Sequence, residues 1–162
     1  MQENFIIYNE EYTLIKDVLQ KLKINTVAKA VFITDSEGHC IASSGEMDDI
    51  NLNSISSLIA GSVAAINSIA QMLKIDSFSA ILNESSKDSL HISLINDRTM
   101  LVVIFNNSSN LGLVRFRVRS ALEQLTKVFQ IIYKKLKAND KMPGGSPFEG
   151  VSDEDIDRIF GD

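Results

Sequence analysis

The order of apolar and polar residues along the chain predicts eight elements of secondary structure, followed by a separate tail. Apolar residues that recur every three to four positions predict helices, whereas short apolar or alternating runs bounded by turn residues predict strands. The helices are predicted over 8–22, 52–73 and 111–136, and the strands over 28–35, 39–44, 78–83, 89–95 and 100–105. The hairpin-length turns between successive strands predict an antiparallel sheet. The fold class is therefore α+β, a five-stranded sheet between helices in the order α-β-β-α-β-β-β-α.

The middle predicted helix has one conventional face and one unusual face. The conventional face carries large apolar side chains that are expected to pack on the sheet: Leu52, Ile55, Ile59, Ile66, Ile69 and Leu73. The opposite face is small and uncharged: Ser57, Ala60, Gly61, Ala64, Ala65 and Ser68. A solvated helix face normally carries charge, and a glycine inside a helix costs about 0.5–1 kcal/mol relative to alanine. The pattern favours an intermolecular contact over burial within one domain, because the chain has no spare layer to cover this face.

The strand predicted over 78–83 is expected at an edge of the sheet. Its sequence, FSAILN, contains no proline and no charged residue that would protect an edge from pairing with another chain. Pairing across a twofold axis would satisfy the edge and join two sheets in a homodimer. The residues predicted at this dimer interface come from the middle helix and from this strand: Ala60, Gly61, Phe78, Ala80 and Leu82.

Charge divides the chain into a neutral body, 1–142, and an acidic tail, 143–162. The whole chain has 16 basic and 21 acidic residues, for a net charge of −5. The tail holds six of the acids and one base, which leaves 15 of each sign in the body. A neutral body argues against nucleic-acid binding, which requires a basic face. The tail is predicted to be a tethered ligand for a basic surface.

The tail also carries signals for a short helix on a flexible linker. Ser152 and Asp155 have the spacing of a capping box, and Val151 and Ile156 that of a hydrophobic staple. An apolar stripe follows, formed by Ile156, Ile159 and Phe160. A helix of about nine residues is too short to be stable alone in water. A frayed terminus is the alternative, but the agreement of cap, staple and stripe favours a helix that docks on a partner.

No motif for catalysis, phosphate binding or metal binding is found in the sequence, and neither a cofactor nor a metal is predicted. The two glycine-rich phosphate-binding patterns are missing. His39 and Cys40 are neighbours on a predicted strand, so they point to opposite faces, and His91 is alone. The acidic repeat from Asp153 resembles a calcium loop, but Arg158 stands at the position that requires glycine. We therefore expect no enzymatic activity.

The chain is expected to be cytoplasmic, without insertion into a membrane. Cys40 is the only cysteine, which fits a reducing compartment. The N-terminal sequence has neither the basic region nor the apolar stretch of a signal peptide. The apolar run over 60–73 is interrupted by polar residues and is shorter than a membrane span.

The element order and three stretches of sequence resemble the roadblock/light-chain family, and in particular its bacterial GTPase-activating members. The stretches are SLIAGSVAAINSIAQML at 57–73, LVVIF with LGLVR at 101–105 and 111–115, and GGSPFEGVSDEDIDRIF at 144–160. The resemblance covers nearly the full chain. Generic roadblock domains carry the second stretch but lack the third.

The resemblance implies a homodimer in which the third strands join two sheets and the middle helices lie antiparallel. Two chains would bind one Ras-like GTPase and activate GTP hydrolysis in the control of cell polarity and motility. The implied mechanism inserts no catalytic residue and repositions the arginine and glutamine of the GTPase itself. The implied contacts are Ser57, Gly61, Ala64, Ala65 and Ser68 at one surface and Phe148, Ile156, Ile159 and Phe160 at a second.

Two other functions remain open at the level of sequence. The protein could be a roadblock scaffold that recruits a GTPase complex without activating it. It could instead be a small-molecule sensor, which would require a sizeable pocket lined by polar groups. The arginines at 115, 117 and 119 are interpreted as a solvated helix face rather than as catalytic fingers.

Overall fold

The computed structural model describes residues 9–141, with side chains placed through residue 139. The acidic tail and its predicted helix lie outside the described residues. All eight predicted elements of the body are present in the predicted order: α1 Asn9–Thr26, β1 Ala30–Asp35, β2 Cys40–Gly45, α2 Leu52–Met72, β3 Ala80–Asn83, β4 Asp88–Asn96, β5 Thr99–Asn106 and α3 Leu111–Lys141.

The five strands form one antiparallel sheet in the order β2-β1-β5-β4-β3, which confirms the predicted fold class. β5 is the central strand, and its side chains are buried from Thr99 to Phe105, as its continuous apolar run predicts. β3 has four residues and lies at an edge. The strand that lacks proline and charged residues therefore lies at an edge of the sheet, where its backbone could pair with another chain.

α1 and α3 cover one face of the sheet. Alternate residues of the central strands, such as Val31, Leu101 and Val103, point into this layer and pack against the buried sides of both helices. The two helices are antiparallel. The Lys135 Nζ near the end of α3 donates a hydrogen bond to a Glu11 carboxylate oxygen at the start of α1. At the other end, the Ser109 hydroxyl donates to the carbonyl oxygen of Thr26 at 2.7 Å.

α2 alone covers the opposite face. The intervening residues of the same strands, including Phe32 and Val102, meet Ile59 and Val63 of α2 in a second, smaller core. The hairpin between β1 and β2 fixes the start of α2, because Gly38 has a φ of +92° and a Cβ there would lie 2.7 Å from the Cα of Ser57. The sequence predicts a glycine turn at this point, and the close approach of α2 adds a second reason for it.

Candidate functional site

The ends of α2 are fixed by local hydrogen bonds that its sequence provides. The Asn51 side chain caps the first turn by accepting a hydrogen bond from the Ser54 backbone N–H at 3.0 Å. At the other end, Lys74 takes the left-handed conformation with a φ of 57°, and the Ile75 N–H donates to the Ala70 carbonyl oxygen. α2 is therefore capped at both ends, and its inner side packs on the sheet.

The side of α2 that faces the sheet is centred on Ile59 and Val63. Ala60 belongs to the same core and is only 9 % exposed. The apolar pattern of the sequence predicts Ala60 on the outer face, and that prediction is wrong. The helical period gives only the angles between residues and not which side of the helix faces the sheet. Because Ile59 and Val63 pack on the sheet, Ala60 between them also faces it.

The predicted sheet-facing stripe is also wrong at its C-terminal end. Ile69 and Leu73 are 46 % and 62 % exposed. With 3.6 residues per turn, Ile69 is rotated by about 120° and Leu73 by about 80° from Val63. Leu58 and Met72, which the sequence analysis leaves unassigned, are exposed as well. Three large apolar side chains of α2 and that of the following residue, Leu73, therefore face solvent in the isolated chain.

The centre of the outer side of α2 is a crest of small residues, which we define as Ser57, Gly61, Ala64, Ala65 and Ser68. All five are exposed, as the sequence analysis predicts. A Cβ added at Gly61 would meet nothing within 4 Å, so packing within the chain does not require a glycine there. The hydroxyls of Ser57 and Ser68 donate to backbone carbonyls one turn earlier, at 3.0 and 3.1 Å. The crest thus presents a low, uncharged surface.

One flank of the crest faces the edge strand. Ile66 lines a small recess together with Phe78, Ala80 and Ile81 at β3. Ile69 and Leu73 follow Ile66 at helical spacing and extend this flank outward. Phe78 is half-buried and Ala80 is exposed, whereas Leu82 is half-buried on the opposite face of the sheet, against the core beneath α1 and α3. An exposed apolar strip therefore continues from α2 to the unpaired edge of the sheet.

The other flank of the crest borders a cleft of about 330 Å³. Ala64, Asn67 and Gln71 form its α2 wall, and the turn that holds Asp97 and Arg98 forms the facing wall. This cleft is not predictable from the sequence pattern, because its walls come from segments that are distant in the chain. Its volume and its mixture of polar and apolar walls suit a protruding side chain of a partner protein.

The reactive side chains of the described residues are not arranged for catalysis. Burial raises the pKa of the Cys40 thiol, which disfavours the nucleophilic thiolate. His91 is buried on the α3 side of β4, and its burial, together with the charge of Arg115, lowers its pKa. Within residues 9–139, no group of three or more His, Cys, Asp or Glu side chains is placed to hold a metal ion.

α2 is long and apolar enough to cross a membrane by length and composition alone. Ile59 and Val63, however, are buried against the sheet. One side of α2 is therefore packed on the sheet, and only its other side is exposed and apolar. This arrangement is typical of a surface that contacts another protein.

Comparison with known proteins places this surface in context. A family model described as the Roadblock/LC7 domain matches residues 14–105. The chain is 39 % identical to Myxococcus xanthus MglB, with a TM-score of 0.75 over 78 % of this chain and 96 % of that chain. The gliding protein MglB from Thermus thermophilus is 21 % identical, with a TM-score of 0.75 over 80 % and 98 % of the two chains, and this likeness concerns the fold. Comparison with curated protein sequences gave no match.

Proposed function

The chain belongs to the roadblock/LC7 family, and we propose that it acts as a homodimeric activator of a Ras-like GTPase of the MglA type. Its similarity to Myxococcus xanthus MglB supports this assignment to a regulator rather than a catalyst. The proposed role is to accelerate GTP hydrolysis in a system that controls cell polarity or motility, in the cytoplasm. The body, 1–142, would bind the GTPase, and the tail, 143–162, would modulate that binding.

The observation that carries the proposal is the crest of α2. It is exposed, uncharged and low, and Gly61 serves no packing purpose within the chain. Small residues allow the backbone of another protein to approach closely, which would offset the cost of a mid-helix glycine. Ser57, Gly61, Ala64, Ala65 and Ser68 are therefore the proposed GTPase contacts of the body.

The flank beside β3 is the proposed dimer contact. It joins the exposed Ile69 and Leu73 of α2 to Ala80 on an edge strand whose backbone is unpaired on its outer side. A twofold axis beside β3 would cover both at once and would place two α2 helices side by side. Phe78 and Leu82 remain proposed interface residues. Gly61 lies on the crest rather than on this flank, so its contribution is assigned to the GTPase surface.

The proposed mechanism supplies shape rather than a catalytic group. A protein activator can accelerate a Ras-like GTPase by about 10³–10⁵, often by inserting an arginine. The crest has no charged side chain that could play this part. The proposed activator instead holds the catalytic arginine and glutamine of the GTPase in position. Among the described residues, Arg98 is the arginine that lines the cleft beside this surface, so Arg98→Ala tests the alternative of an inserted finger and should leave most of the acceleration intact.

The tail is proposed to make a second contact with the GTPase through Phe148, Ile156, Ile159 and Phe160. These residues lie outside the described part of the chain, and their apolar stripe and acidic flanks come from the sequence. Deletion of 143–162 should alter the degree of activation without unfolding the body. If the deletion collapses the fold, the tail belongs to the core and the second contact fails.

The decisive test places bulk and charge on the crest. Ala64→Arg/Ser68→Arg should abolish acceleration of single-turnover GTP hydrolysis, because two long cations would hold the partner away from α2. Circular dichroism and sedimentation should show an unchanged fold and oligomeric state. The matched control, Gln20→Arg/Gln130→Arg, adds the same two charges on exposed faces of α1 and α3, and it should keep full acceleration. Full acceleration by the crest variant would contradict the proposed site.

The same assay separates the two other functions. A scaffold that does not activate would bind the GTPase without changing the rate of hydrolysis. A small-molecule sensor would use the cleft beside Arg98, and Gln71→Trp should then abolish ligand binding. We favour a protein partner over a small molecule because the cleft adjoins the crest, so one partner can cover both. The similarity to Myxococcus xanthus MglB supports activation over simple recruitment.

A further inference from the structure

A second exposed surface lies at the beginning of α3, on the other face of the sheet from the crest. Phe116 is 65 % exposed, and Leu113, one turn earlier on the same side, is also exposed. They are the exposed large apolar side chains of α3 within its described residues. Arg115, Arg117 and Arg119 surround them, and the Arg117 guanidinium lies 5.6 Å from the centre of the Phe116 ring. We call these five residues the α3 patch.

The arginines of the α3 patch are not explained by the folded body. They form no ion pair with a carboxylate of the described residues. Residues 111–122 contain no acidic side chain, and Glu123, four positions after Arg119, makes no ion pair with it in the described structure. The helix dipole does not explain them either, because it favours cations at the C-terminal end of a helix rather than near its beginning. The patch therefore matches a ligand that is both acidic and apolar.

Val27, near the start of α3, is a further apolar residue with an exposed side chain. Val27 directly follows α1 and has a φ of 52°, a costly conformation for a β-branched residue. Its side chain is exposed, and its carbonyl oxygen accepts a hydrogen bond from the hydroxyl of Ser109, just before α3. The end of the molecule where α1 stops and α3 starts is thus apolar on its surface as well as basic.

We propose that the acidic tail of the same chain docks on the α3 patch. The tail has a net charge of −5, and the helix predicted after Ser152 carries the stripe Ile156, Ile159 and Phe160. Its acids complement the three arginines, and its stripe complements Leu113 and Phe116. The crest of α2 matches the stripe but offers no charge. The exposed Lys134 and Lys137, nearer to the tail, offer charge but no large exposed apolar neighbour.

The length of the tail permits this docking within one chain. Phe116 lies about 38 Å along α3 from Lys141 at 1.5 Å per residue. A tail helix that runs antiparallel to α3, with Phe160 beside Phe116, has Val151 about 24 Å from Lys141. The ten residue steps from Lys141 to Val151 reach at most about 33–36 Å. The tail therefore reaches the α3 patch without full extension, and it needs no second copy.

Docking gives the tail a resting place in the absence of a partner. A partner that binds the tail must first displace it from the α3 patch, which lowers the apparent affinity of that partner. This regulatory consequence rests on the proposed function, whereas the docking itself does not. The test of docking consequently uses the full-length protein without a GTPase.

The test uses a spin label at the end of the tail. Cys40→Ser removes the only cysteine, and Asp162→Cys provides the attachment site. We expect paramagnetic broadening of the backbone amides of residues 113–120 in the full chain, and less broadening as salt is raised. Phe116→Ser and, separately, Arg117→Glu/Arg119→Glu should remove the broadening. Lys134→Glu/Lys137→Glu should retain it, because those lysines lie outside the patch.

Four results would overturn the proposal. Absence of broadening would show that the tail does not dock on the body. Broadening on the crest of α2 would place the tail elsewhere. Equal broadening in a mixture of spin-labelled chains without isotope and isotope-enriched chains without a spin label would show docking on a second copy. Binding of anionic phosphatidylserine vesicles to the α3 patch, with no broadening from the tail, would assign the patch to a membrane surface.

Discussion

The two faces of the sheet differ in how completely the chain covers them. α1 and α3 close one face with a core of nineteen buried hydrophobic residues, whereas α2 closes the other with nine. Among the described residues of the first face, Glu11 and Lys135 form a buried ion pair between α1 and α3. The second leaves Leu58, Met72 and the small residues of the crest exposed. The face with less internal packing is the one proposed to bind the GTPase, and the α3 patch on the other face is proposed to hold the tail.

This difference separates stability from regulation. Substitutions between α1 and α3 should change the free energy of unfolding and leave GTPase activation per folded molecule intact. Substitutions on the crest should do the reverse. If either class of variant behaves like the other, the two faces do not divide stability from regulation in this way.

The largest effect is expected at the buried ion pair between Glu11 and Lys135. The two side chains are 3 % and 5 % exposed, and they join α1 to α3 across 124 positions of the sequence. Lys135→Met would leave the Glu11 carboxylate buried without its cation, which typically costs about 3–5 kcal/mol. We expect chemical denaturation to show a loss of that size, with normal GTPase activation by the protein that remains folded.

The double variant Glu11→Leu/Lys135→Met provides the control. Replacing both charges by apolar side chains removes the unpaired carboxylate and is often neutral or stabilising. We therefore expect it to recover most of the stability lost by Lys135→Met. Equal losses in the single and double variants would show that Lys135 contributes through the packing of its methylene groups and not through Glu11.

A smaller effect, with opposite signs for stability and binding, is expected at Gly61. A Cβ at this position meets open space, so Gly61→Ala should stabilise the isolated domain by about 0.5–1 kcal/mol. The same methyl group would crowd a closely packed partner, at a cost of about 1–3 kcal/mol. That cost corresponds to roughly a 5- to 150-fold increase in the Kd of the GTPase complex.

The control for Gly61→Ala is Asn53→Ala, at an exposed position in the first turn of the same helix. It should leave the Kd unchanged, because residue 53 lies outside the crest. Titration of the GTPase against each variant measures both effects. An unchanged Kd for Gly61→Ala would mean that no partner backbone approaches the crest closely.

The fold was predictable because its elements have strong local patterns. The apolar run of β5 and the hairpin glycine at Gly38 each have one plausible structural meaning. The crest was largely predictable for the same reason, since α2 contains no charged residue. Ala60 and Ile69 were misplaced because apolar residues surround most of α2, and periodicity alone does not fix the rotation of such a helix.

Other features depend on contacts that a linear pattern does not contain. Glu11 lies among the polar positions of α1, and nothing near it in sequence indicates that Lys135 will bury it. The cleft beside Asn67 and Arg98 requires two distant segments to face each other. Tertiary packing decides these features, so they become visible only once the helices are placed on the sheet.

The smallest effect is a dependence of stability on pH that originates at His91. This residue is buried beneath α3, its Nδ1 lies 3.2 Å from the Ser93 hydroxyl oxygen, and its pKa is lowered from 6.5 by burial and by Arg115. The unfolded chain therefore binds a proton more readily than the folded chain. The contribution of His91 to the free energy of unfolding is therefore fully present above about pH 6.5. It is lost as the pH falls from 6.5 toward the lower pKa of the folded state.

His91→Gln should remove this dependence, because glutamine retains hydrogen-bonding groups and does not titrate in this range. Denaturation curves of both proteins between pH 5 and pH 7.5 give the difference in the pH dependence of stability. Parallel curves would show that His91 becomes accessible to protons without unfolding, which would weaken the view that α1 and α3 form the closed face. GTPase activation at pH 7.5 should be the same for both proteins, since His91 lies on the opposite side of the sheet from the crest.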